Sequence, residues 1–147
     1  MIHDEARIGA LRGTIIGCAI EVHRRMGPGL LESVYQTCLI IELREAKLAV
    51  EVNRAVPLTY RGRPIEGHLF IDILVDDLIV LEVKSVSRLV PVHTAQVITY
   101  LKLAEKPTGL LLNFNCVLMK DGIRRIVHPD IKKTTTLPAR HIRNLAL

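Results

Sequence analysis

Two acidic residues and a lysine lie within stretches of the sequence that otherwise read as buried β-strand. Asp72 stands inside residues 69–75, and Glu82 and Lys84 end the apolar run of residues 78–84. A carboxylate taken out of water without a partner is costly, so something must compensate these two. A divalent cation and the neighbouring lysine would do so, as in a metal-dependent phosphodiesterase site. The alternative is a structural ion pair between Lys84 and one of the acids.

The separation of ten residues decides whether the two acids can meet. Side chains alternate along a strand, so Phe70, Asp72 and Leu74 are predicted to share one face. An odd-numbered loop centred on Asp77 would place Asp72 opposite Glu82, whereas a two-residue loop would put the acids on opposite faces. A metal site therefore requires a turn of three or five residues.

Length and composition indicate one domain with an aliphatic core. The chain has 147 residues, no tryptophan, only five aromatic side chains and three widely spaced cysteines in apolar surroundings, which are expected to be reduced thiols. The sequence opens with His3-Asp4-Glu5, which is not a signal peptide, and no apolar run approaches transmembrane length. A cytoplasmic protein with no membrane partner is expected.

The positive charge is concentrated at the C-terminal end. Residues 120–147 carry seven basic side chains against two acidic ones, and they account for the whole net charge of +5. Such a segment suits binding to phosphate backbones, but it also suits solubility alone. The sequence therefore predicts one domain over residues 1–127 and a basic tail over residues 128–147.

Periodicity predicts two helices at the start of the chain. The first covers residues 8–26 with Asp4 as its N-cap, and Gly27-Pro28-Gly29 ends it. The second covers residues 30–47, and its predicted apolar stripe consists of Leu31, Val34, Tyr35, Cys38 and Ile41. Glu32 lies at the edge of that stripe, where an exposed glutamate favoured by the helix dipole is the simplest interpretation.

The middle of the chain predicts an antiparallel meander. Its strands are residues 50–60, where Pro57 requires a sheet edge or a bulge, the Asp72 strand and the Glu82 strand. A third helix is predicted from Pro91 to about residue 105, followed by a wholly apolar strand, residues 108–114, parallel to a neighbour. A last hairpin returns to residue 127. The fold class is α/β, with a mixed central β-sheet flanked by helices.

The third helix carries a line of polar side chains. His93, Gln96 and Tyr100 are spaced at i, i+3 and i+7, so they share one helix face. Because this helix follows the Glu82 strand, that face could point toward the acids. A surface-facing boundary of an amphipathic helix is the alternative.

Several motifs together resemble a known family. Gly29-Leu30-Leu31-Glu32-Ser33-Val34-Tyr35 matches the motif of the GxxExxY proteins, and it is followed by the strand aspartate, the Glu-x-Lys triplet and a helical glutamine in the same order. That family is a branch of the PD-(D/E)XK nuclease superfamily. The resemblance covers about residues 8–127 and implies a restriction-endonuclease-like core (α-β-β-β-α-β) with an extra N-terminal helix. Ile71 stands where the superfamily name has proline.

The resemblance implies a role for each candidate residue. Asp72, Glu82 and the Val83 carbonyl would bind Mg²⁺, with Mn²⁺ as a substitute, and Glu32 would complete the site directly or through water. Lys84 would hold the attacking water or the developing negative charge. Gln96 would orient water or contact the nucleic-acid backbone, while Tyr35, His93 and Tyr100 would support the site; His93 could equally cap its own helix.

The sequence therefore favours a Mg²⁺-dependent nuclease acting on nucleic acid, with DNA preferred. A homodimer that cuts both strands is compatible with such a small domain. Two rivals stay open at this point. One is a nucleic-acid-binding or partner-binding module without turnover on the same fold, and the other is a structural protein whose metal serves folding alone.

Overall fold

A mixed five-stranded sheet forms the centre of the molecule, and a computed structural model describes residues 2–130 and 132–133 of the chain. The elements in chain order are β1 (Ile2–His3), α1 (Glu5–Met26), α2 (Glu32–Glu45), β2 (Val50–Tyr60), β3 (Arg63–Val75), β4 (Ile79–Lys84), α3 (Pro91–Ala104), β5 (Thr108–Asn113), a 3₁₀ helix (Met119–Gly122), β6 (Ile123–Val127) and β7 (Lys132–Lys133).

The order of strands in the sheet is β2-β3-β4-β5-β6. The meander β2-β3-β4 is antiparallel, β5 runs parallel to β4, and β6 is antiparallel to β5. Helices α1 and α2 cover one face of the sheet and α3 covers the other, each over its own apolar cluster. The predicted fold class and the predicted parallel pairing of the apolar strand are confirmed.

Other local predictions are also confirmed. Asp4 caps α1, because its Oδ1 accepts hydrogen bonds from the N–H groups of Ala6 and Arg7 at 3.0 and 3.2 Å. Strand β2 lies at the sheet edge, and its register with β3 shifts between Pro57 and Thr59.

The predicted basic tail is described only in part. Lys132 and Lys133 form a short parallel pairing with Ile2 and His3, and residues 134–147 lie outside the described residues.

The predicted apolar stripe of α2 is wrong in two places. Leu31 and Ile41 are 74% and 56% exposed, and the buried residues are Tyr35, Leu39 and Leu43. Leu31 lies outside the helix, as its N-cap residue, so it does not take part in the helical period. The stacking of Tyr35 on the core determines which side of the helix faces inward.

Tyr35 connects the end of α1 to the start of α2. Its buried ring stacks on Phe114, with ring centroids 4.7 Å apart and planes at 10°. Its hydroxyl donates to the Gly27 carbonyl at 2.5 Å and accepts from the Leu30 N–H at 3.1 Å. The tyrosine of the GxxExxY motif therefore fixes the turn that presents Glu32.

Removing the Tyr35 hydroxyl is expected to destabilise the protein. The change Tyr35→Phe leaves a half-buried carbonyl and N–H without their partner, so the free energy of unfolding should fall by about 1–3 kcal/mol. Urea denaturation measures this loss. Tyr60→Phe is the matched control, because that ring is exposed, and it should leave the unfolding midpoint unchanged. Equal effects of the two changes would contradict this role for Tyr35.

Candidate active site

The candidate site lies where β3 separates from β4. The paired residues of the two strands are Ile73–Leu81, Leu74–Val80 and Val75–Ile79, so the hairpin is centred on Asp77 with a three-residue loop. The required odd-numbered turn is thus confirmed, and the register places Asp72 opposite Glu82. Beyond Ile73 the β3–β4 ladder ends.

The Asp72 side chain replaces the missing backbone ladder. Its Oδ2 accepts a hydrogen bond from the Val83 N–H at 2.9 Å. The N–H and C=O of one strand residue point toward the same edge, so the Val83 carbonyl also points toward β3. Lys84 confirms the alternation, because its carbonyl accepts from the Phe114 N–H on the β5 side at 3.0 Å.

The alternation of side chains along β3 changes at Asp72. Ile71 and Leu74 both pack in the cluster under α3, whereas Ile73 packs on the opposite face. The predicted common face of Phe70, Asp72 and Leu74 is therefore wrong. The physical reason is a kink in the hairpin, since Asn53 on β2 stands across from Asp72 with a left-handed φ of 52°.

Glu82 is a buried acid with an incomplete environment. It is 4% exposed, and its Oε2 has no hydrogen-bond partner among the described residues. Burial, and next the negative charge of Asp72, raise the pKa of Glu82 to about 9. In the metal-free protein a proton therefore balances this carboxyl near neutral pH.

Lys84 compensates Glu82 only weakly. Its ammonium lies 3.8 Å from Glu82 Oε1, which is within ion-pair range but too long for a hydrogen bond. Among the described residues it makes no hydrogen bond, although only 15% of its side chain is exposed. The structural ion pair is present, but it leaves the N–H donors of Lys84 available to another acceptor.

Tyr100, on the polar line of α3, lies near the acids, and Gln96 contacts Tyr100. Tyr100 is buried, and its pKa is raised by burial first and then by the charge of Glu82, with a smaller effect of Asp72. Gln96 Nε2 donates to the Tyr100 hydroxyl at 2.9 Å. His93 instead caps its own helix, since its Nδ1 accepts from the Val90 N–H at 3.1 Å.

Glu32 reaches the same region from the other side of the sheet. It is the first residue of α2 and is half-buried, and its charge adds the smallest of the increases in the pKa of Glu82. The turn before it is joined to the end of β4, because Ser85 Oγ donates to the Leu30 carbonyl at 2.6 Å.

The donor set fits a hard divalent cation. Asp72, the unpartnered Oε2 of Glu82 and the Val83 carbonyl are oxygen donors on neighbouring residues of the two strands, which is the ligand type that Mg²⁺ prefers. Within the described part of the chain, no three His, Cys, Asp or Glu side chains form a metal-ligand group. The Val83 carbonyl is the residue group that could serve as a third protein ligand, and Glu32 could complete the site directly or through water.

Asn113 contributes to the site but was not identified from the sequence. This buried residue ends β5, accepts from the Val86 N–H at 3.1 Å and donates to the Val86 carbonyl at 3.0 Å. It holds the segment that leads from Lys84 into α3. The available signal was a polar side chain at the end of a wholly apolar strand.

The mixed sheet, the strand split and the acid pair with its lysine define a restriction-endonuclease-like domain. The sequence model of the PD-(D/E)XK nuclease superfamily matches residues 10–126, and the chain belongs to this superfamily. Its members are generally nucleases that use divalent metal ions. Comparison with the curated proteins and with the solved structures gave no match. The narrower GxxExxY assignment stays a prediction.

No helix in the described part of the chain has the length and apolar character needed to cross a membrane.

The buried charge of Glu82 predicts that this site lowers the stability of the metal-free protein. The folded state keeps a proton that the unfolded chain releases above its ordinary pKa of 4.5. Stability is therefore lost as the pH rises from about 4.5 toward 9, by at most about 1.4 kcal/mol per pH unit. In EDTA, Glu82→Gln should melt several degrees above wild type at pH 8, and the two curves should converge near pH 5.

Glu66→Gln is the control for this comparison, because it neutralises an exposed glutamate on β3. Its melting temperature should equal that of wild type at both pH values. Identical melting of wild type and Glu82→Gln at pH 8 would show that water solvates the Glu82 charge in the folded protein.

Proposed function

We propose that this protein is a Mg²⁺-dependent nuclease that hydrolyses phosphodiester bonds in DNA, with Mn²⁺ as a substitute metal. The observation that carries the proposal is the unpartnered Oε2 of Glu82, buried beside Asp72 at the point where two strands separate. A cation there would replace the proton on Glu82 and offset the repulsion that arises when both acids are ionised.

Asp72, Glu82 and the Val83 carbonyl would hold the metal, and Glu32 would bind one of its water molecules. When bound, the cation would lower the pKa of water and neutralise charge on the scissile phosphate. The chain itself supplies the fixed positions of these oxygens, through the Val83–Asp72 hydrogen bond and the Tyr35 contacts that hold the start of α2.

Lys84 would act directly on the reacting groups. Its free N–H donors would orient the attacking water or stabilise the negative charge that develops at phosphorus. A fixed cation in a partly dehydrated site is worth more than one in water, because less solvent reorganises during the reaction.

Gln96 and Tyr100 would form the wall of the site on the α3 side. The Tyr100 hydroxyl holds the Gln96 side chain, which keeps its amide oxygen free to orient water or to approach the substrate backbone. Tyr35 and His93 would act only indirectly, by fixing the turn before α2 and the start of α3.

The preference for DNA comes from the family resemblance. A homodimer that cuts both strands and a cytoplasmic location are further parts of this proposal. A binding module without turnover is the rival, and the cleavage experiment separates the two.

The test is cleavage of labelled DNA and RNA, single- and double-stranded, with Mg²⁺, Mn²⁺ or EDTA. Wild type should cut in either metal and not in EDTA. Asp72→Asn keeps a hydrogen-bond acceptor for the Val83 N–H but removes charge, and Lys84→Gln removes the ammonium. Each should lower the rate at least about 100-fold.

Lys102→Gln is the matched control, because this exposed lysine lies on α3 away from the acids, and it should cut at the wild-type rate. Wild-type binding without cleavage in either metal would contradict the nuclease and favour the binding module. Cleavage that survives in Asp72→Asn would show that the reaction takes place elsewhere.

A further inference from the structure

The hairpin of β2 and β3 continues far beyond the site. We define the arm as residues 54–71, the part of this hairpin on the far side of the Asn53–Asp72 kink. Only its base packs on α3, through Val56, Leu69 and Ile71. Every residue from Thr59 to His68 is exposed. Because the β3–β4 ladder stops at Ile73, no described strand pairs with either outer edge of the arm.

The arm carries both exposed aromatic side chains of the protein. Of the five aromatics in the chain, Tyr35, Tyr100 and Phe114 are buried, whereas Tyr60 and Phe70 are 69% and 53% exposed. Phe70 lies two residues from Asp72, about 7 Å along the strand. Aromatic faces beside a phosphate-cleaving site suit contact with bases and sugars.

The tip of the arm presents two arginines without acidic partners. Arg61 and Arg63 make no ion pair with any described residue, and Glu66 is the only acidic side chain in the arm. Arg61 and Gly62 form the two-residue turn, and Arg61 has a left-handed φ of 50°. Such a turn favours Asn or Gly at both positions, so placing an arginine there costs conformational energy.

The shape and charge of the arm favour one partner. A two-stranded β-ribbon fits the major groove of duplex DNA, and unpaired arginines suit its phosphates and base edges. Arg63 precedes Asp72 by nine residues, so the tip reaches at most about 30 Å from the site. That distance corresponds to at most about nine base pairs of duplex.

We propose that the arm binds duplex DNA, with Arg61 and Arg63 contacting it up to about nine base pairs from the bond that is cleaved at Asp72 and Glu82. This inference rests on the proposed nuclease function for the position of that bond, but binding by the arm is measured separately from cleavage. The substrate is then a duplex that extends well past the cleavage site on one side.

The experiment measures equilibrium binding of fluorescent 20-bp and 6-bp duplexes in EDTA, where no cleavage occurs. Two arginines that each neutralise one phosphate contribute about 1.8 to the slope of log K against log salt. Arg61→Gln/Arg63→Gln should therefore weaken 20-bp binding on the order of 50-fold at about 0.1 M salt. The 6-bp duplex is too short to reach from the acidic site to the tip of the arm, so its affinity should change less than about threefold.

The control removes the same charge from the other end of the sheet. Arg44→Gln/Lys102→Gln changes exposed residues near the C-terminal ends of α2 and α3, and 20-bp binding should stay within about threefold of wild type. Thermal melting confirms that both double variants fold. Three results would each contradict DNA binding by the arm. The first is an equal loss of affinity in the two double variants, the second is a loss of affinity that is the same for both duplex lengths, and the third is a loss of affinity confined to single strands.

Cleavage by the same proteins separates the two proposals. If wild type cuts DNA but the arm variant binds like wild type, the arm proposal fails and the nuclease stands. A second outcome is that wild type does not cut in Mg²⁺ or Mn²⁺, but Arg61→Gln/Arg63→Gln loses length-dependent binding. The nuclease proposal is then wrong and the proposal of DNA binding by the arm is supported. If wild type does not bind duplex DNA, the proposal of DNA binding by the arm is wrong, whatever the cleavage result.

Discussion

At the point where β3 leaves β4, a hydrogen bond from the Val83 N–H to the Asp72 carboxylate takes the place of the backbone ladder. This bond allows the two strands to separate without leaving a buried donor unpaired. Both proposals depend on this separation. It leaves the Glu82 carboxyl without a paired β3 residue across from it, and the β2–β3 hairpin continues past this point without β4 as the arm.

The site is held together against an electrostatic cost. Burial and the nearby charge of Asp72 raise the pKa of Glu82, and the loosely paired Lys84 lowers it only in part. The rest of the fold tolerates this because the surrounding segments are fixed by other contacts. Tyr35 fixes the turn before α2, Asn113 fixes the segment after Lys84, and the Asp77 turn is held at the far end by an ion pair with Lys106 at 2.7 Å. Stability given up at such a site is typical of residues retained for function.

Much of the architecture could be predicted because it depends on local pattern. The Asp4 cap, the position of Pro91 at the start of α3 and the apolar strand β5 all follow from short-range chemistry. The odd-numbered turn at Asp77 is a requirement of the metal-site hypothesis, and the register of the folded hairpin decides it. The exposed Leu31 and the kink at Asp72 could not be predicted in this way. The first depends on how Tyr35 packs against Phe114, and the second depends on a left-handed Asn53 on another strand. The sequence identified the acids and Lys84, but the unpartnered Glu82 oxygen and the role of Asn113 are properties of the assembled fold.

The central claim is that Asp72 and Glu82 bind one divalent cation in place of a proton. Calorimetric titration of the metal-free protein with Mn²⁺ at pH 7, in two buffers of different ionisation enthalpy, measures both the stoichiometry and the protons released. We expect one metal per chain and release of close to one proton, since burial and Asp72 keep Glu82 protonated in the absence of metal. Asp72→Asn should abolish this binding. Failure of the wild-type protein to bind Mn²⁺, or binding without proton release, would contradict the claim.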